Sequence, residues 1–259
     1  EIYTLSLHDA LPIWSAYSGD DKLALSDISF TAQEGEVTAI VGTSGGGKST
    51  IAHLIPRFWD VSEGRICIGN VDIREMTESD LMRQVSFVFQ DVYLFNQSIK
   101  DNIKMGFPEA SDAEVVEAAK AACCDEFIAN LPRGYDTVLG EGGIHLSGGE
   151  AQRISIARAI IRNTPILILD EATAFADPEN ERLIQTALRR LMKGRTVIII
   201  AHRLGSIKDA DNILVLNKGK LVESGRHSAL LQAKGVYSDM WMRYTQSLEW
   251  GIGKETVIS

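Results

Sequence analysis

Lys48 follows a run of glycines and precedes two hydroxyl residues, Gly42-Thr43-Ser44-Gly45-Gly46-Gly47-Lys48-Ser49-Thr50. That order of residue types suits the binding of a triphosphate. Glycines let a loop wrap so that successive backbone N–H groups point inward at phosphate oxygens. Lys48 adds a point charge between the β and γ phosphates, and a helix starting beside it presents its positive end. The Ser49 hydroxyl suits a ligand of Mg²⁺. A flexible Gly/Ser linker has similar composition, but here an apolar run at 37–41 comes before and a helical pattern after, as the Walker A motif requires. By itself the loop implies a nucleoside triphosphate and no more.

A second set of groups would act on that triphosphate. Pro165-Ile166-Leu167-Ile168-Leu169-Asp170-Glu171 is an apolar strand ending in two carboxylates, the Walker B arrangement. Asp170 is expected to hold Mg²⁺, and Glu171 to act as general base on a water aimed at the γ-phosphate. The alternative is a pair of helix-capping acids. Gln90 ends the run 85–89, and its amide oxygen could reach Mg²⁺ or the attacking water. His202 ends the run 196–201 and could contact the γ-phosphate while orienting Glu171. Singly, each is an ordinary loop residue. Together they form a consistent site, because ligands gather beyond the carboxyl ends of parallel strands.

Leu146-Ser147-Gly148-Gly149-Glu150 precedes a helical run at 151–162. Ser147 fits an N-cap, and the glycines leave backbone N–H groups open, which makes a second anion site. The local sequence fits a plain capped helix equally well.

These groups must be carried by a sheet with helices on it. Strand-like runs at 25–32, 37–41, 65–68, 85–89, 166–169, 196–201, 213–216 and 220–223 alternate with helical patterns. The runs at 85–89, 166–169 and 196–201 are apolar on both faces, as covered parallel strands are. Asn217-Lys218-Gly219-Lys220 reads as a hairpin turn. From Asp112 to Asn130 the pattern changes: apolar residues at Val115, Val116, Ala119 and Ala122 predict a helix, and a shorter one follows around Glu126–Leu131. Strand signals then stop until Ile166, so a helical subdomain at about 90–162 is expected inside an α/β core. The 259 residues are 45% hydrophobic and 24% charged, ordinary for a globular chain. A formal charge of −9 argues against a nucleic acid held on a basic face. Three cysteines, two of them adjacent, indicate no disulfide framework and a reducing compartment. No apolar run reaches the length of a membrane span.

GTSGGGKST, FVFQD, LSGGE, ILILDE and IIIAHRL occur in the order and approximate spacing of ABC nucleotide-binding domains, and the chain resembles that family from about Tyr17 to Arg243. LSGGE ahead of ILILDE separates that family from other P-loop enzymes. The stretches FNQSIKDNI, LPRGYDTVLGEGGIHLSGGE and AHRLGSIKDADNILVLNKGKLVESG resemble exporter-type half-transporters. The resemblance implies the ABC ATPase fold: a P-loop core with a mostly parallel sheet, an antiparallel β subdomain and an inserted helical subdomain. It implies ATP and Mg²⁺ as cofactors and ATP hydrolysis that powers translocation. The implied partners are an ABC transmembrane domain and a second nucleotide-binding domain, with no nucleic acid, at the cytoplasmic face of the plasma membrane. Tyr17 would stack on adenine, and Gln90 would sense magnesium and the membrane domain. Ser147 and Gly149, with Gly148 between them, would touch the γ-phosphate held by a head-to-tail partner. Asp177 matches the aspartate that reaches across such a dimer, and Glu141 the acidic position that reports to the membrane domain.

Glu150 stands where the family more often has glutamine. With Ala174-Phe175-Ala176-Asp177 it resembles exporter-fold transporters of siderophores, some of which import. Residues 1–13, EIYTLSLHDALPI, are expected to be a non-native or disordered leader without strand alternation, resembling a translated sequencing-adapter read-through; a natural linker tail is the alternative. The family domain is expected over 14–246, and 247–259 is expected to be a loose tail. A soluble ABC-type ATPase switching on ribosomes or DNA is the competing reading, and a small-molecule kinase a third. Neither suits one cassette without a heptad run or basic extension.

Overall fold

The structure, a computed structural model, describes residues 5–10, 13–14, 23–140, 143–170, 178–201 and 203–252. The chain divides into two compact units, residues 1–76 with 198–259, and residues 77–197. It passes from the second unit back to the first within one strand.

The first unit opens with strands β1 (Leu5–Ala10), β2 (Ile13–Trp14), β3 (Leu23–Leu25), β4 (Ile28–Ala32) and β5 (Val37–Gly42). Helix α1 (Lys48–Leu54) and strands β6 (Arg65–Ile68) and β7 (Val71–Asp72) follow. An antiparallel sheet runs in the order β4-β1-β6-β7, with Leu5 opposite both Ala32 and Ile68. The leader is therefore not structureless over residues 5–10, contrary to the expectation from sequence. Strands β4 and β6 each offer an edge of backbone N–H and C=O groups, and a strand between them satisfies both. The alternation Leu5-Ser6-Leu7-His8 is compatible with that role.

The second unit holds α2 (Glu78–Gln84), β8 (Val85–Val88), α3 (Ile99–Lys104), α4 (Asp112–Ala121), α5 (Asp125–Ala129), α6 (Gly148–Arg162), β9 (Ile166–Asp170) and α7 (Pro178–Met192). Strands β8 and β9 are parallel, with Val85 opposite Ile166 and Val88 opposite Leu169. Every residue of β9 is buried, as its unbroken apolar sequence requires. Helix α6 packs against α3, α4 and α7. Ser147 caps α6, and the αL residue Asn163 ends it.

Strand β10 (Thr196–Ile200) follows α7 and contains the boundary between the units. Back in the first unit, β11 (Asn212–Asn217) lies parallel to β5, and β12 (Lys220–Gly225) pairs antiparallel with β11. The hairpin forms where Asn-Lys-Gly predicts it, with φ of 49° at Lys218 and 76° at Gly219. Helices α8 (His227–Ala233) and α9 (Val236–Ile252) close the unit. Tyr237 is fully buried, and its hydroxyl lies 2.8 Å from His227 Nδ1. Burial pushes its phenol pKa up to about 12. Helix α9 continues to Ile252, so residues 247–252 of the expected tail are helical. The Tyr237, Trp241 and Tyr244 side chains pack against the Ala39–Val215 core and carry the helix past the point where sequence pattern fades. Among the described residues, no helix is long and apolar enough to cross a membrane.

Candidate functional site

In the first unit, β5 delivers the glycine-rich loop at its C-terminal end. Gly42 has φ of 152°, and a Cβ there would stand 2.0 Å from the Leu216 carbonyl oxygen of β11. Only glycine lets the strand pass that close and still turn. Gly47, with φ of 94°, enters α1 without a capping side chain. The first turn of α1 therefore has backbone N–H groups without intrahelical acceptors. Thr43, Ser44, Gly45 and Ser49 are exposed, Gly46 is buried, and Gly47 and Thr50 lie between. Lys48 is 5% exposed, and its Nζ donates to the carbonyls of Gly42 at 3.1 Å and Thr43 at 3.0 Å. The loop is thus wrapped around its own ammonium group. A glycine loop with a held cation at a helix start fits a phosphate.

In the second unit, Asp170 is the last residue of β9 and is 9% exposed. Gln90 lies exposed just past β8. The register pair Val88–Leu169 puts Phe89 and then Gln90 just past the end of that pairing. Gln152 of α6 is 1% exposed and donates from Nε2 to the Phe89 carbonyl at 3.4 Å. That contact links the start of α6 to the residue before Gln90.

The α6 N-terminus is a full capping box. The Ser147 hydroxyl accepts from the Glu150 N–H at 3.3 Å, and the Glu150 carboxylate accepts from the Ser147 N–H at 2.8 Å. The box stabilises the turn by about 1 kcal/mol. It leaves the Gly148 and Gly149 N–H groups pointing along the helix start. Ser147 and Gly148 are exposed, whereas Gly149 is buried.

Sequence reading missed the groups that hold these segments. Asn102, fully buried, accepts from the Phe95 N–H at 2.9 Å and donates to the carbonyls of Phe95 and Ser98, each at 3.0 Å. Arg158 of α6 donates to the Asn102 side chain at 2.6 Å, the Asn102 carbonyl at 2.7 Å and the Tyr93 carbonyl at 2.8 Å. Burial lowers the Arg158 guanidinium pKa, so these acceptors are what keep its charge inside. The spacing Ser147-x-x-Glu150 is the one local signal that could have disclosed the capping box; Asn102 and Arg158 have none. Tyr17, Glu141, Glu171, Asp177 and His202 lie outside the described residues.

A family described as "ABC transporter" matches residues 25–174. An ATP-dependent lipid A-core flippase of Syntrophus aciditrophicus is 53% identical over 222 residues, 86% of this chain and 37% of that protein. A Staphylococcus aureus protein named for multidrug export ATP binding and permease is 49% identical over 225 residues, 87% of this chain and 39% of that protein. The chain therefore spans well under half the length of these relatives. A solved structure of a bacterial Atm1-family ABC exporter with ATP bound superposes with a TM-score of 0.86 at 45% identity, over 94% of this chain and 42% of that one.

Proposed function

The chain belongs to the ABC transporter family, and from that premise we propose that it binds and hydrolyses ATP to drive transport through a transmembrane domain. The observation that carries the reading is the loop wrapped on Lys48, whose Nζ sits 3.1 and 3.0 Å from two loop carbonyls. The triphosphate of ATP lies in the ring of amides from Gly42 to Thr50, with Lys48 reaching its outer phosphates. Mg²⁺, when bound with the nucleotide, neutralises charge that develops on the phosphate oxygens. Ser49, Asp170 and Gln90 are the residues that would hold it; a hydroxyl, a carboxylate and an amide are oxygen donors of the kind it takes. Glu171 takes the proton of the attacking water, and His202 orients Glu171 and touches the γ-phosphate. Tyr17 stacks on the adenine.

The second half of each site comes from a partner nucleotide-binding domain. Ser147, Gly148 and Gly149 close over the partner's γ-phosphate, and Asp177 reaches across the interface. Glu141 reports to the membrane domain, which places the chain at the cytoplasmic face of the plasma membrane. The relatives' printed names support a lipid or a drug as the class of cargo.

Replacement of Glu171 by Gln tests the hydrolytic step. ATP affinity should stay within about twofold while turnover falls by at least about 100-fold, and the ATP-bound chain should elute as a dimer. Turnover at the wild-type rate would remove Glu171 from the role of base.

A further inference from the structure

Gly149 lies in the first turn of α6, buried against Asn180, the third residue of α7. A Cβ on Gly149 would come 2.7 Å from Asn180 Cγ and 2.8 Å from both its Cβ and its Oδ1. Real Cβ atoms do not approach other heavy atoms that closely, and the obstacle includes the root of the Asn180 side chain, which cannot swing away. Arg153 stands one turn further along α6, on the same face as Gly149. It is 4% exposed, and its Nη1 donates to Asn180 Oδ1. Its guanidinium lies 5.2 Å from the centre of the Phe127 ring, and its Nε has no hydrogen-bond partner among the described residues. One amide side chain therefore touches two successive turns of α6.

From this arrangement we propose that Asn180 is the positioning residue of the Ser147-Gly148-Gly149 turn, and that it is the reason position 149 must be glycine. The functional half of the proposal rests on the reading of that turn as a phosphate contact. The backbone N–H groups of Gly148 and Gly149 act only where the α6 start is held, and a misplacement of about 1 Å can cost about 100-fold in rate. Asn180 holds it by contact at Gly149 and by accepting from the buried Arg153, whose charge would otherwise lose its acceptor. Because Asn180 belongs to the first turn of α7, any shift of that turn moves the phosphate-facing amides with it. The demand for glycine then arises inside one chain and not from the partner's phosphate.

A double-mutant cycle on the whole chain tests this, with ATP affinity, kcat at saturating ATP and Tm measured for each variant. Asn180→Gly should leave the Kd for ATP within about twofold and lower kcat at least about tenfold. Asn180→Asp keeps an acceptor for Arg153 and should retain kcat within about threefold. Gly149→Ala should lower both kcat and Tm in the wild-type background, and lower neither further in the Asn180→Gly background. Wild-type kcat in Asn180→Gly, or losses that add in the double variant, would overturn the proposal. The Tm arm needs no nucleotide, so it judges the Asn180–Gly149 contact even if the chain proves not to bind ATP, an outcome that would sink the functional reading alone.

Discussion

Lys48 is nearly enclosed, yet its ammonium is solvated by the loop that encloses it, through the carbonyls of Gly42 and Thr43. A cation so placed needs no large rearrangement to exchange carbonyl acceptors for phosphate oxygens. Hydrogen bonds to charged groups contribute about 1.5–3 kcal/mol each. Lys48→Ala should therefore weaken ATP binding by about tenfold to 100-fold, read by titration calorimetry. Unchanged affinity would mean that the loop is not the triphosphate site. Lys48 and Ser147 were legible in the sequence because their signals are local: a glycine run before a lysine, a serine before two glycines. Arg158 and Asn180 were not legible, because the partners that give them meaning are more than twenty residues away, such as Arg153 for Asn180; Asn102 also caps nearby groups of Phe95 and Ser98, but no spacing rule announces that. The buried Cys124 belongs with these: burial raises its thiol pKa far above the usual range, which makes it a core residue and not a reactive one.

Helix α6 is the element on which the second unit turns. Its side chains reach outward in sequence order: Gln152 to the Phe89 carbonyl, Arg153 to Asn180, Arg158 to Asn102 and Tyr93, and Arg162 to the Met82 carbonyl at 2.6 Å. They reach helices α7, α3 and α2 and the segment after β8, so side chains join elements that share no strand ladder. The Asn102 contact is the one most exposed to test. Asn102→Ala would leave the Phe95 N–H without its acceptor and take one of three acceptors from the buried Arg158 guanidinium, while the Phe95 and Ser98 carbonyls keep backbone donors. Each unsatisfied buried group costs about 1–3 kcal/mol, so a loss of about 3 kcal/mol is expected in urea unfolding. A loss under about 1 kcal/mol would show that water replaces the amide there. At this scale the sequence was most readable where pairing is signalled locally. The apolar run of β9 and the Asn-Lys-Gly turn before β12 declared themselves. Strand β1 did not, since its pairing is dictated by β4 and β6, both distant in sequence.

At the scale of the molecule, one chain carries both a loop that suits its own triphosphate and a second glycine turn, on α6, that a single nucleotide does not need. If two chains pair head to tail, each site joins the loop of one with the α6 turn of the other. Mixing two crippled variants then separates shared from private sites. Lys48→Ala spoils only the loop, and Ser147→Arg blocks only the turn. Each alone forms dimers with two defective sites. In an equal mixture about half the dimers are mixed, and in each of those one site combines an intact loop with an intact turn, so turnover should recover to about a quarter of the wild-type value. Below the dimerisation constant the wild-type rate should also rise with about the second power of chain concentration. A mixture no more active than its components, with a rate linear in concentration throughout, would mean that each chain hydrolyses ATP by itself and that the α6 turn serves as a helix cap alone.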